Sequence, residues 1–485
     1  MRTTNYAVPF ILIFLAGCVT GPDHEAPQIA LPGKFGEGSV ASNGNMALAA
    51  WWNSFGDVRL NRYVALGLEQ NLTVQQAVER INQAQADVIV AGSGALPSLI
   101  ASASNTTSKQ KGSLFNADQP IKNVSAGGLG VSWLIDFFGQ YRRAKESASA
   151  SLDAAYASVD VQRLALISQL TSAYIDLRYY QERIEIARLN LKSRRETLAL
   201  TRQQLAAGAT SRLDVTQAEG LVHVTLAEIP ELEINFRRSA HRIATLLGLP
   251  ASSLISELQK GAGQPVARAV ARSGIPTDLL RNRPDIRAAE RRLASSVAKI
   301  GVAESQLYPS IQLSGSISPS YTSLSGGSNG SLNVWSFGPT LVLPIFDGGR
   351  LRANVAIANS AATEHYLEWK ETVLVAVEEV ENALAAIKRS KQQETTLRKA
   401  VESYKDALSI ATTNYRNGVS TLLEVLDAQR SVADAQANLA RAVQQTALGY
   451  VSLNVAIGGG YANTSDVDLD DDRRPAPTLG RVLSR

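Results

Sequence analysis

Tyr415-Arg416-Asn417-Gly418-Val419-Ser420-Thr421-Leu422-Leu423-Glu424-Val425-Leu426-Asp427-Ala428-Gln429 reads as the end of one helix, a tight turn and the start of another. Helical patterns run into this stretch from about Gly349 and away from it to about Ile457, with Asn417 and Gly418 as the strong breakers between them. It is the tip of a long helical hairpin. The same design occurs earlier, at Leu205-Ala206-Ala207-Gly208-Ala209-Thr210-Ser211-Arg212-Leu213-Asp214-Val215-Thr216-Gln217-Ala218. Gly208 corresponds to Gly418, Leu213 to Leu423, Asp214 to Glu424, and Val215 and Ala218 to Val425 and Ala428. An internal repeat of about 210 residues follows.

The chain has 485 residues, of which 19% are charged, and a net charge of +4. It has no long Lys/Arg cluster with interleaved aromatics, so nucleic acid is not an expected partner. Residues 1–17 carry Arg2, then the apolar run Val8 to Ala16, and read as a secretory signal. Leu15-Ala16-Gly17-Cys18 resembles the lipobox of bacterial lipoproteins, and Cys18 is the only cysteine. Cys18 is therefore expected to become the acylated first residue. Val19, where an Asp would favour inner-membrane retention, fits sorting to the outer membrane. After residue 17 no run of eighteen apolar residues occurs, so a channel built from this chain has to be a barrel.

Residues 18–50 are rich in Pro, Gly, Ser and Asn and read as a lipid-anchored, extended linker. The first repeat, 51–248, opens with Trp51, Trp52, Phe55, Gly56 and Asp57 as packing anchors, then helical periodicity from about Val58 to Val90. Strands are expected at 97–107 and 122–138, with Leu129, Val131, Trp133 and Ile135 on one face and a polar hairpin loop between the two. From Gln140 to about Ala207 there is no Pro, enough for a helix reaching about 100 Å. In it Leu166, Leu170, Ala173, Leu177, Tyr180, Ile184, Ala187 and Leu191 recur at alternating steps of four and three, a coiled-coil seam. Residues 249–276 form a linker. The second repeat, 277–457, has strands expected at 309–320 and 331–346, with Trp335, Phe337, Leu341, Leu343 and Ile345 sharing a face. Its seam uses Val373, Val377, Val380, Leu384 and Ile387 and, on the returning helix, Val425, Ala428, Val432, Ala435 and Leu439. Residues 458–485 read as a solvated tail.

The expected fold is mainly α with β. Four strands per chain cannot close a barrel, and an open edge in lipid would leave backbone groups unpaired, so several chains have to share one.

Trp51-Trp52 with Phe55-Gly56-Asp57, Leu246-Leu247-Gly248-Leu249-Pro250, Arg283-Pro284-Asp285-Ile286-Arg287-Ala288-Ala289-Glu290, Leu343-Pro344-Ile345-Phe346 with Gly348-Gly349-Arg350, and the stretch from Tyr415 to Gln429 resemble, in the right order, the outer-membrane efflux proteins. That family includes TolC and the lipoprotein branch typified by OprM and NodT. The resemblance implies a homotrimer with a twelve-stranded outer-membrane barrel and a periplasmic helical tunnel. It further implies docking to a periplasmic adaptor (membrane fusion) protein and an inner-membrane RND-type pump, with Gly208, Ala209, Gly418 and Val419 at the docking turns. In the family, acidic residues at the positions of Glu424 and Asp427 ring the closed entrance, where six carboxylates from three chains would repel one another and attract cations. Asp214 is expected to accept a hydrogen bond from Tyr415 and hold the hairpins together. Ser420 stands where TolC has an Arg, so that latch is missing, with Arg212 or Arg416 as possible substitutes.

Enzyme chemistry has little support: His24, His223, His241 and His365 are scattered, and no nucleophile elbow or phosphate loop occurs. No cofactor or metal is expected beyond the lipid on Cys18. Arg283, Asp285 and Arg287 read as a helix cap and ion pair. Two competing functions are the outer-membrane duct of a type I protein secretion system and a lipid-anchored coiled-coil scaffold without a pore.

Overall fold

The computed structural model of the chain describes residues 19–37, 50–111, 120–268, 277, 282–327 and 329–460. The expected signal segment with Cys18, the crest of the first hairpin loop, part of the 249–276 linker and the tail beyond Gly460 lie outside these residues.

After a short 3-10 turn, Trp51–Phe55, the elements are α1 (Val58–Gln70), α2 (Leu72–Ser93), β1 (Ser98–Ser108), β2 (Lys122–Ile135), α3 (Gln140–Ala206), α4 (Arg212–Leu246), α5 (Ile255–Leu258), α6 (Pro284–Ser305), β3 (Ser310–Leu324), β4 (Gly330–Val342), α7 (Arg350–Arg416) and α8 (Leu422–Ala456). The duplication shows in the helix lengths: α3 and α7 each have 67 residues, and α4 and α8 each have 35. The chain forms two compact units that cut across the repeats. Among the described residues, one comprises 19–28, 80–111, 120–155, 288–327 and 329–369, the other 29–37, 50–79, 156–268, 277, 282–287 and 370–460.

The first unit holds one antiparallel sheet in the order β1-β2-β3-β4. Its register pairs Ala101 with Leu129, Leu129 with Ile317, and Ile317 with Trp335. Alternation then places Leu99, Val131, Trp133, Ile311, Leu313, Phe337 and Leu341 on that same face. The opposite face carries Ser102, Ser132, Ser314, Ser316, Ser318 and Ser336. No residue of the four strands is buried within the chain. A water-soluble sheet would cover its apolar face.

Two strands stop short of their expected ends. β2 ends at Ile135 because Asp136 turns to cap α3, its carboxylate accepting from the Arg142 amide at 2.9 Å. β4 ends at Val342, so Leu343 and Ile345 are not strand residues; Pro344 has no N–H to give to a ladder.

The residues after Cys18, expected as linker, are extended but docked. Thr20 donates its amide to the Phe138 carbonyl at 3.2 Å, and Arg143, itself buried, donates to the Thr20 and Gly21 carbonyls and pairs with Asp23. Gly21, at φ 88°, crosses Gly301 so closely that neither could carry a Cβ. His24 meets Glu290 at 2.5 Å.

In the second unit the helix expected from Val58 to Val90 is broken at Asn71 (φ −65°, ψ 124°). The Asn71 side chain accepts from the Thr73 and Val74 amides and donates to the Leu246 carbonyl at 2.8 Å, so a short amide caps one helix and ties down another. Of the α3 seam, Leu166, Leu170, Ala173, Leu177, Ile184, Ala187 and Leu191 are all buried. Arg283 pairs with Asp285 and Glu379 and donates to the Ala456 carbonyl, while Arg287 pairs with the buried Asp160, which makes this cluster structural.

Gly458, Gly459 and Gly460 belong to the core and not to a solvated tail. Trp51, 1% exposed, donates its indole N–H to the Gly459 carbonyl at 3.1 Å and packs edge-on against Trp52 and Tyr450. Trp51→Ala is expected to cost about 3–5 kcal/mol, the range for a fully buried aromatic. Trp51→Phe should lose less, and denaturant unfolding of the detergent-solubilised protein followed by circular dichroism measures both.

Candidate functional site

The two hairpin turns have the same backbone. Gly208 (φ 71°) and Gly418 (φ 74°) take the left-handed conformation that ends a helix. The Ala209 amide donates to the Gln204 carbonyl at 2.8 Å, and the Val419 amide to the Asn414 carbonyl at 2.9 Å. Glycine is required because a side chain at such φ is strained. Around the turns Leu213, Val419 and Leu423 are exposed, an apolar fringe at both tips.

Beyond the turns the hairpins differ. Ser211 and Asp214 form a capping box at the start of α4: the Ser211 hydroxyl accepts from the Asp214 amide, and Asp214 accepts from the Ser211 amide. Asp214 also accepts from the Ser211 and Thr210 hydroxyls at 2.6 and 2.7 Å, and these bonds, the Ser211 hydroxyl first, hold its carboxyl below the usual range. Thr421, at the equivalent position, caps nothing with its side chain. Arg183–Glu228, Arg188–Glu233 and Arg202–Glu219 pairs join α3 to α4.

The expected bond between Tyr415 and Asp214 is not made. Asp214 is occupied by its own helix cap, and Tyr415, 5% exposed, donates instead to the Thr201 hydroxyl at 3.3 Å. Glu424 and Asp427 are exposed and make no side-chain hydrogen bond or ion pair among the described residues. Arg212 and Arg416 are likewise exposed and form no ion pair among those residues, so neither replaces the missing Arg at Ser420 within one chain.

Leu191, Leu198, Val215, Ala218, Val222, Tyr415, Leu422, Val425 and Leu426 form a core between the hairpins near the tips. Sequence reasoning missed the polar layer beside it. Continuing the α3 seam past Leu191 by its steps of three and four lands on Arg194, Leu198 and Thr201, and those two polar residues at seam positions were the available signal. Arg194 is buried with its guanidinium on the Thr225 hydroxyl, and desolvation holds its pKa below the usual arginine range. Gln429, also buried, donates to Thr197.

The sequence model described as outer membrane efflux protein matches residues 64–249 and 275–459. Nodulation protein T of Rhizobium leguminosarum bv. trifolii is 54% identical over 461 residues, covering 95% of this chain and 98% of its own. Outer membrane protein OprJ of Pseudomonas aeruginosa is 31% identical over 467 residues, covering 95% of this chain and 97% of its own. Among solved structures, the outer-membrane channel OprN superposes with a TM-score of 0.82 at 33% identity, over 92% of this chain and all of its own.

The unequal caps give a direct test. Ser211→Ala is expected to cost about 1 kcal/mol and Thr421→Ala close to nothing. Because the folded pKa of Asp214 is depressed, its contribution is present above the unfolded carboxylate value of about 3.9 and is lost as pH falls through the lower folded value. Thermal unfolding against pH should therefore show wild type losing stability relative to Asp214→Asn only on the acid side.

Proposed function

The chain belongs to the outer membrane efflux protein family, and from that premise we propose that it is the exit duct of a tripartite efflux system. It passively conducts small molecules such as drugs. Three copies close a twelve-stranded barrel in the outer membrane of a Gram-negative bacterium, with Cys18 acylated beside it. A periplasmic adaptor engages the turns at Gly208 and Gly418, an RND-type pump in the inner membrane supplies the cargo, and Glu424 and Asp427 form the periplasmic gate.

The observation that carries this reading is the sheet. Among the described residues β1 and β4 pair on one side only, the apolar face is bare, and the other face is lined by hydroxyls. Edge strands in lipid demand partners, and further copies of the same sheet supply them. The apolar band runs from Ile311 to Pro319 on β3. At about 3.3 Å per residue and a tilt of about 40° it stands about 20 Å tall, near the apolar height of outer-membrane barrels. The serine face then meets water, where it can pass polar cargo without a tight pocket. The acylation of Cys18 rests on its lipobox; Thr20, two residues further on, is docked on the Phe138 carbonyl just past the end of β2.

Purified protein should run as a heat-stable trimer and conduct ions in planar bilayers; a non-conducting monomer would refute the proposal. The two faces are separable. Phe337→Arg, on the apolar face, should lower folding stability in lipid vesicles by about 2–4 kcal/mol. Ser336→Arg, one residue away on the hydroxyl face, should insert normally and change single-channel conductance.

A further inference from the structure

Near the tips, the seam between the hairpins turns from apolar to hydrogen-bonded. Gln429, 4% exposed, projects from α8 onto α3, where its Nε2 donates to Thr197 Oγ1 at 2.9 Å and lies 3.3 and 3.4 Å from Ser193 Oγ and the Ser193 carbonyl. Thr197 spends its own hydroxyl proton on the Ser193 carbonyl at 3.2 Å, leaving its oxygen to accept from Gln429. Gln429 Oε1 is buried without a partner. A leucine here would avoid that loss, so the amide is held for its direction and at some expense of stability.

Direction is what the neighbouring contacts lack. Leu422, Val425 and Leu426 bury α8 against its surroundings, but apolar contact is non-directional and tolerates rotation of a helix about its axis. A hydrogen bond from a buried side chain does not. At about 100° per residue, Asp427 lies about 160° and Glu424 about 140° around α8 from Gln429. Holding Gln429 against α3 therefore fixes both carboxylates on the far face of the helix, where both are exposed. Asp214 is spent on its own cap and cannot serve this purpose, and Tyr415, which donates to Thr201, belongs to α7 and not to α8.

We propose that Gln429 is the positioning residue of the acidic tip: its bonds to Thr197 and Ser193 set the rotation of α8 and hence the placement of Glu424 and Asp427. The inference rests on the channel reading above. It predicts that a folded trimer lacking these bonds presents its carboxylates out of register, leaks more current, and is blocked less well by a divalent cation.

Single-channel conductance and the Mg²⁺ concentration that halves it are measured in planar bilayers for wild type, Gln429→Leu and Thr197→Val. The second variant keeps the side-chain shape and removes the Thr197 hydroxyl, which is the acceptor for Gln429 and the donor to the Ser193 carbonyl within α3, so it decides the matter if the first does not fold. Each variant is expected to conduct at least twofold more than wild type and to need at least threefold more Mg²⁺, with trimer yield unchanged. Folded variants with wild-type conductance and wild-type Mg²⁺ block overturn the role of Gln429 while leaving the channel intact. A wild-type protein that inserts and never conducts overturns the channel reading and this inference with it.

Discussion

Every backbone N–H and C=O needs a partner, and the two outer strands of this sheet have one neighbour each. In water such an edge can bind solvent; in hydrocarbon it cannot. The side chains decide which medium applies, because an uncovered face of Leu99, Leu129, Ile317, Trp335 and Phe337 is costly in water and at home in lipid. One chain is therefore an incomplete object. Its missing ladder bonds can come only from strands of matching length and register, and further copies of the same chain are their natural source.

Duplication makes that solution economical. Each repeat contributes one strand pair and one hairpin with helices of 67 and 35 residues, so the proposed trimer would have six near-equivalent pairs and six hairpins. Near-equivalence is also where the repeats diverge to effect. The first hairpin has its capping box and three interhelix ion pairs, whereas the second has an uncapped Thr421 and no ion pair between α7 and α8 near the tip among the described residues. Exposed pairs contribute little singly, but three in register with a cap leave the first hairpin better tied than the second.

The long helices, their seams and the strand faces were legible because each follows a period that one row of side chains has to obey. Features that depend on a single side chain's choice of partner were not. Asn71 splits a helix without disturbing its periodicity, because the decisive contact is to the Leu246 carbonyl, 175 positions away. Gly458 to Gly460 looked like tail because their reason to be buried is Trp51, at the other end of the chain. Asp214 is a different case: Ser211-Arg212-Leu213-Asp214 has the spacing of a capping box, and a short-range partner three residues away outcompetes a tyrosine on another helix. Family likeness pointed to the distant bond, and local geometry took the near one.

The polar seam follows from the same economy. Apolar contact between helices is non-directional, whereas a polar residue at a seam position specifies register at a cost in stability. Placing Thr197, Thr201 and Gln429 at buried positions gives up stability for a defined orientation, and the unpartnered Gln429 Oε1 is part of that cost. On the reading proposed above, Glu424 and Asp427 sit on the less firmly tied hairpin, and the hydrogen bonds of one glutamine amide would act where a small change in balance has the largest effect on the tip.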